Sequence, residues 1–320
     1  MVEATPEKPI RVAAIGECMI ELAERGDGTA AIGFGGDSLN TSVYLRRLGG
    51  GVGIEVDYVT ALGDDPYSDA MLAAWRAEGI GTDLVARLPG RLPGLHTIRT
   101  DAAGERSFHY WRSAAAAREL LSAGEPERLA EALPAYDLVY LTGITLSILD
   151  SASRRRLLEI VDAARAAGAR IAFDSNYRPR GWPDSASARE VMTEMYARVD
   201  TALPSLEDEA ALYGEADAEA VADRLAGFGV GEFVVKDAAG PCLAGQGEAR
   251  WVVPAEAVDR VVDTSAAGDA FNAAYLAARL QGTPPEAAAR AGHRLAAIVI
   301  QHRGAVIPRE AMADRSLSGR

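Results

Sequence analysis

Cysteine is almost missing from this chain: there are two in 320 residues, Cys18 and Cys242. Two thiols make no disulfide framework for a chain this long, so the fold must rest on its core. Both lie in apolar stretches and read as small buried hydrophobes, which suits a reducing, cytoplasmic compartment. Histidine is scarce too, with four. His96, His109, His293 and His302 have no metal-ligand spacing with the cysteines, so no structural zinc is expected. No apolar run approaches the roughly 18 residues needed to span a bilayer. The start, MVEATPEKPIRV, is charged where a secretory signal would be apolar. Basic residues are in deficit, 33 against 46 acidic ones, for a net charge of −13. Such a surface repels nucleic-acid phosphates and anionic lipid, which argues against both as general partners. It also repels small anions, so a site for one must carry its own cations or amide donors.

What is present is a core-forming composition, 48% hydrophobic and 25% charged. IRVAAI (10–15), ending at Gly16, reads as a buried first strand. Residues 38–48 follow helical spacing and stop at Gly49, Gly50 and Gly51. VDYVTALG (56–63) reads as a strand and 68–80 as a helix. After an interruption, 136–143, 154–170 and 171–178 give strand, helix, strand, with further strands at 201–205 and 232–236. The alternation predicts an α/β fold: a mostly parallel central sheet with helices on both faces. Ligands then bind at the carboxyl ends of the strands. Two stretches break this rhythm. Residues 91–113 read as a hairpin around a DAAGE turn, and 17–36 alternate like strands around a glycine-rich turn. Together they predict a small β-sheet that projects as a lid; an edge extension of the main sheet is the alternative. No linker or repeat divides the chain, so 1–320 is expected to form one domain. The final ADRSLSGR is expected to fray.

The most informative segment is VVDTSAAGDAFNAAYLAARL, 261–280. Val261 and Val262 read as the end of a strand, Asp263-Thr264-Ser265 as a turn, and Ala266-Ala267-Gly268 as a small-residue run before a helix. A helix start offers unpaired amides and partial positive charge, and small residues let an anion come close. Asp269, in the first turn, is placed to accept a hydroxyl proton beside that anion. Helix capping by Asp263 or Asp269 is the rival reading.

DTSAAGDAF resembles the C-terminal signature of PfkB-type carbohydrate kinases, usually DTxGAGD, and GFGGDSLNTSVYLRRLG (33–49) resembles their GGxxxN segment. The resemblance implies a ribokinase-like fold, ATP and Mg2+ as cofactors, Asp269 as catalytic base, and an anion hole from Ala266, Ala267 and Gly268. Ala266 stands where the family has glycine, and an alanine there is expected to avoid a left-handed φ. IGECMIEL, LTGITLSIL, FDSNYRPR and QHRGAVIPREAM narrow the resemblance, across about 10–312, to the 2-keto-3-deoxygluconate kinases. It implies sugar contacts from Gly36, Asp37, Asn40, His109, Tyr110, Arg112, Asp174 and Arg178. Arg112 and Arg178 can each offer a planar fork to a substrate carboxylate, although surface ion pairs would also explain them. Tyr110 and Trp111 either close over the ligand or pack the lid.

On the nucleotide side the resemblance implies Asn176, Ser205, Lys236, Ala238 and Gly240, with Ala266 and Gly268. Ala238 replaces a family glycine, and Ser205 with Asp208 stands where the family has Asn-x-x-Glu. The magnesium ligands are therefore left open, with Asp208 as an indirect candidate. A kinase of another sugar, such as a fructokinase or ribokinase, and a non-catalytic sugar-binding regulator are the alternatives. A dinucleotide-binding oxidoreductase is disfavoured, because Gly33, Gly35 and Gly36 do not complete GxGxxG after the first strand. An apolar lid face would make the chain a homo-oligomer.

Overall fold

Short runs of apolar residues, buried on both sides, become the strands of the main sheet, as parallel sheets covered by helices require. The computed structural model describes residues 8–25, 27–100, 106–123, 126–215 and 217–313. In chain order the strands are β1 (Ile10–Ile15), β2 (Met19–Glu24), β3 (Ala30–Gly35), β4 (Ile54–Leu62), β5 (Val85–Arg87), β6 (Leu95–Thr100), β7 (Arg106–Trp111), β8 (Leu138–Thr142), β9 (Arg170–Asp174), β10 (Thr201–Ala202), β11 (Glu232–Val235), β12 (Cys242–Gln246) and β13 (Ala249–Val253). The main sheet runs β13-β12-β11-β10-β9-β8-β1-β4-β5. Every pairing from β5 to β11 is parallel, and β12 and β13 add an antiparallel edge. Alternate residues feed opposite cores. Ala13 and Ile15 of β1 enter one, with the helices Ser151–Ala166 and Ser185–Tyr196; Val12 and Ala14 enter the other, with Asp37–Gly49 and Ala267–Leu280. The chain leaves β1 first toward β4 and later returns on its other side as β8, so the switch point lies at the carboxyl ends of β1 and β8.

The stretches that broke the alternation form a separate sheet, β3-β2-β6-β7, rather than an edge extension of the main one. Its register sorts the residues by period two. One face carries the row Phe34, Ile20, Leu95 and Trp111 across four strands; the opposite face carries Gly33, Glu21, His96 and Tyr110. The DAAGE turn, 101–105, lies outside the described residues, as does 314–320 at the C-terminus.

One expected strand is absent. Val261 and Val262 pair with no strand and are exposed. The amides of Val262 and Asp263 instead donate to the Ile300 carbonyl, at 2.8 and 3.1 Å. An apolar pair with no neighbour on either side does not extend a sheet.

The Ala267–Leu280 helix is tied to the sheet by a buried ion pair. Arg279 Nη2 donates to Glu232 Oε2 at 2.6 Å, and the Tyr275 hydroxyl to Glu232 Oε1 at 2.8 Å. Losing one partner of a buried pair strands the other charge. Glu232→Ala should therefore lower unfolding stability by about 3–5 kcal/mol, read by urea denaturation. A loss below about 1 kcal/mol, the scale of a surface pair, would show that the tie is not what holds this helix.

Candidate active site

The Ala267–Leu280 helix begins without a side-chain cap. Asp263 shapes the turn before it: Oδ1 accepts the Ser265 amide at 3.0 Å, and Oδ2 accepts the Gly304 amide at 2.7 Å. Ala267 N–H turns back to the Thr264 carbonyl at 3.2 Å, whereas the amides of Gly268 and Asp269 find no backbone acceptor among the described residues. Those two are the free donors of the helix start. Ala266 corrects an expectation. Its φ is +58°, left-handed, and Ala238 likewise has φ +37°. Both alanines hold a left-handed conformation that glycine adopts freely, at a cost of roughly 1–2 kcal/mol each.

Asp269 meets the first signature across the cleft. Asn40 Nδ2 donates to Asp269 Oδ2 at 2.9 Å, over a separation of 229 residues. The Asn40 amide in turn donates to the Gly36 carbonyl at 2.8 Å, which fixes the first turn of the Asp37–Gly49 helix. Asn40 Oδ1 is buried with no partner among the described residues. Asp37 Oδ2 accepts from Thr142 Oγ1 at 2.5 Å and from Asn176 Nδ2 at 2.8 Å. Asn176, expected on the nucleotide side, is thus bonded to an expected sugar residue, and it holds φ +32° to do so. Loss of water at the half-buried Asp269, followed by repulsion from Asp37, pushes its carboxyl up to about 8. The Asn40 hydrogen bond opposes that rise; Asp174 adds to it and Lys236 opposes it.

Lys236 lies beneath this helix start. Its Nζ donates to Asp174 Oδ2 at 2.8 Å and to Asn272 Oδ1 at 2.9 Å. Asn272 Nδ2 closes the triangle on Asp174 Oδ2 at 2.6 Å. A Cβ at Gly268 would stand 3.7 Å from Lys236 Nζ. Asp174, expected as a sugar contact, is buried and engaged by this lysine. Arg178 Nη1 reaches Asp208 Oδ1 at 2.9 Å, and the Ser205 hydroxyl caps the following helix through the Asp208 amide at 3.3 Å. Burial raises the Asp208 carboxyl, and Arg178 opposes the rise. The Gly240 amide closes a tight turn on the Asp237 carbonyl at 2.5 Å.

In the small sheet, Tyr110 and His96 share the face that carries Gly33 and Glu21. Their rings lie 5.7 Å apart, and His96 Nε2 is 3.3 Å from Glu21 Oε2. Arg112 pairs with the buried Glu17. His109 sits on the opposite face, opposite Thr97 and exposed. Sequence reasoning missed Glu17, Thr142, His96 and Asn272. The pairing of His96 with Tyr110 followed from the hairpin register; the other three had no local signal.

A family model described as the pfkB family of carbohydrate kinases matches residues 10–312. The chain is 48% identical over 304 residues to a 2-dehydro-3-deoxygluconokinase of Dickeya dadantii, covering 94% of this chain and 98% of the relative. It is 47% identical over 305 residues to one of Escherichia coli, with 94% and 98% covered. Among solved structures, a PfkB protein from Polaromonas aligns with a TM-score of 0.82 at 23% identity, over 96% of this chain and 100% of its own. An E. coli ribokinase-type protein in complex with ATP and Mg2+ aligns with a TM-score of 0.79 at 20% identity, over 93% and 94%. The fold is ribokinase-like.

With Asp269 as the base expected from the sequence, only its carboxylate accepts a proton, so kcat/KM should fall as pH drops through about 8. Asp37→Asn removes a repelling charge and should move that acidic limb to lower pH. A pH–rate profile checks both; a limb that stays put or moves up in Asp37→Asn would disconnect the two carboxylates.

Proposed function

Because the chain belongs to the pfkB family of carbohydrate kinases, we propose that its reaction is ATP-dependent phosphorylation of 2-keto-3-deoxygluconate to 2-keto-3-deoxy-6-phosphogluconate. Relatives carrying that activity in their names at 47–48% identity support the substrate. The observation that carries the chemistry is the hydrogen bond from Asn40 to Asp269, which joins the two family signatures in one cleft.

Asp269 accepts the proton of the sugar's terminal hydroxyl as that oxygen attacks the γ-phosphorus. The new O–P bond forms as the bond to the bridging β,γ-oxygen breaks, and ADP leaves. A carboxyl raised to about 8 is a stronger base than an ordinary one. The free amides of Gly268 and Asp269, with the Lys236 ammonium below them, face the negative charge on the phosphoryl oxygens. Asp174 and Asn272 hold that ammonium in place. Asp37, oriented by Thr142 and Asn176, offers acceptors to sugar hydroxyls.

Mg2+ bound with ATP would neutralise charge on the β and γ oxygens. No cluster of three or more acidic, histidine or cysteine ligands exists among the described residues. Asp208, with Oδ1 already on Arg178, fits a hold on the ion's waters, which Mg2+ retains readily. The small sheet, with Tyr110 and Arg112 on its polar side, acts as the lid that excludes water and meets the substrate carboxylate. No helix among the described residues is long and apolar enough to cross a membrane. Dependence on ATP and the two buried thiols fit a cytoplasmic location.

The lid's other face offers Trp111 at 62% exposure and Ile32 at 58%, beside the half-buried Leu22, Phe34 and Leu95. A second copy of the chain covers it in this reading, because side chains this large are seldom left clustered in water.

A coupled ATP assay should give turnover on 2-keto-3-deoxygluconate far above gluconate, fructose or ribose. Asp269→Asn should lower kcat by about 10²–10⁴-fold while sugar binding, by calorimetry, survives. Preference for a neutral sugar would overturn the substrate, and near-normal turnover in Asp269→Asn would overturn the base. Trp111→Glu should shift the mass measured by light scattering from dimer to monomer; an unchanged mass would rule out this face.

A further inference from the structure

Four segments cross between the main sheet and the small one: residues 16–18 after β1, 35–36 before the Asp37–Gly49 helix, 93–94 before β6, and 112 after β7. Glu17 touches the other three. A Cβ at Gly36 would stand 2.1 Å from the Glu17 carbonyl oxygen, and a Cβ at Gly94 would stand 2.6 Å from Glu17 Oε1. Glu17 Oε2 accepts from Arg112 Nη2. Neither glycine admits a side chain without moving this residue. One of the lid's crossings, at Gly94, is therefore built to the side chain of Glu17, one, at Gly36, packs on its backbone, and a third, at Arg112, is bonded to its carboxyl.

The pair is asymmetric. The Glu17 side chain is 1% exposed and that of Arg112 is 23% exposed. The acid is the fixed, inner member, and the guanidinium is the member that reaches toward solvent on the polar side of the lid. Burial raises the Glu17 carboxyl and the Arg112 guanidinium opposes that rise, while Oε1 is buried without a partner among the described residues, so Arg112 is the cation that compensates this acid. Arg112 has donors to spare. A guanidinium carries five N–H groups; one on Nη2 is committed to Glu17, Nε is buried, and the N–H groups left on the outer nitrogens of this part-exposed side chain are the ones a ligand can reach. The Tyr110 ring lies 6.0 Å from the guanidinium carbon and limits its swing on one side.

We propose that Glu17 is a positioning residue for substrate selection: it grips one edge of the Arg112 guanidinium so that the remaining donors meet the carboxylate of an acidic sugar. This rests on Arg112 being the carboxylate receptor. A long arginine left loose on a strand end loses rotamer freedom when it binds; Glu17 removes that freedom before the ligand arrives, which lowers the cost of binding. A neutral sugar gains nothing from the arrangement, so the pair discriminates by charge. The effect belongs to substrate binding and not to the phosphoryl transfer, because neither residue contacts Asp269 or Lys236.

The test is a set of steady-state constants for 2-keto-3-deoxygluconate and ATP. Glu17→Ala should raise the sugar-acid KM by about 10-fold or more, the size of a lost charged hydrogen bond, with kcat and the ATP KM within about 3-fold. Glu17→Gln keeps an oxygen that accepts from Nη2 and should restore the KM to within about 3-fold of the parent enzyme. In an Arg112→Ala background, Glu17→Ala should raise the KM no further. Equal effects with and without Arg112, a loss in kcat at constant KM, or a Glu17→Gln enzyme as impaired as Glu17→Ala would each overturn the proposal. Arg112→Ala with a normal sugar-acid KM would instead remove the carboxylate reading itself. An impaired Arg112→Ala beside a normal Glu17→Ala would remove the positioning role alone.

Discussion

The cleft depends on one buried cation. Asp37, Asp174 and Asp269 gather where the two signature helices approach, and three carboxylates in so small a space repel one another. Lys236 is the buried ammonium among them, bonded to Asp174 and to Asn272. It bonds directly to Asp174, which also accepts from Asn272. Asp269 receives no such partner. Among the described residues its carboxyl bonds to the amide of Asn40 alone, so burial and Asp37 prevail and the carboxyl rises. A paired acid below and an unpaired acid above follow from where a single lysine sits. The unpaired one is the one beside the free amides.

The backbone around these groups is held in conformations its residues do not favour. Ala266, Ala238 and Asn176 all have positive φ, and Ala266 and Asn176 flank polar contacts of the cleft. The cost is tolerable because neighbouring bonds determine the path. Asp263 clamps both the turn before Ala266 and the Gly304 amide. Asn176 is held by its own amide on Asp174 Oδ1 at 3.1 Å and by its side chain on Asp37. Strain gathered at a site and offset by surrounding bonds is the usual sign of a geometry that matters there.

Much of the fold was legible because periodicity is local. The run Leu138–Thr142 is buried throughout and reads as a central strand, while 17–36 and 91–113 alternate and read as a two-faced sheet. Val261 and Val262 misled because two apolar residues carry no period, and only the Ile300 carbonyl decides their path. At the cleft, Asp269 and the glycines near 35 stood out through spacing. Asp174 did not disclose its partner, since Lys236 lies 62 residues away. Glu17 was read only as part of an alternating stretch and of the IGECMIEL match. Its meaning lies in Gly36, Gly94 and Arg112, which reach it from three separate segments. Ala266 was misjudged by treating propensity as a rule, when the surrounding bonds override it.

The small sheet puts a period of two to a double use. Along β7, Phe108 and Tyr110 turn to one side, and His109 and Trp111 to the other. The first side bears Glu21 and His96 beside Gly33 and Gly35, whose missing side chains leave room for the Glu21 carboxyl. The second is apolar from Phe34 through Ile20 and Leu95 to Trp111. A one-residue slip between β6 and β7 would exchange the two sides and bring Trp111 where Tyr110 stands. The register is thus a requirement of the site as much as of the sheet. Glu17 stands at the root of that register, because it holds Arg112 just beyond the end of β7 and fits Gly94 just before β6. One buried acid thereby links the alignment of the hairpin to the side chains it presents.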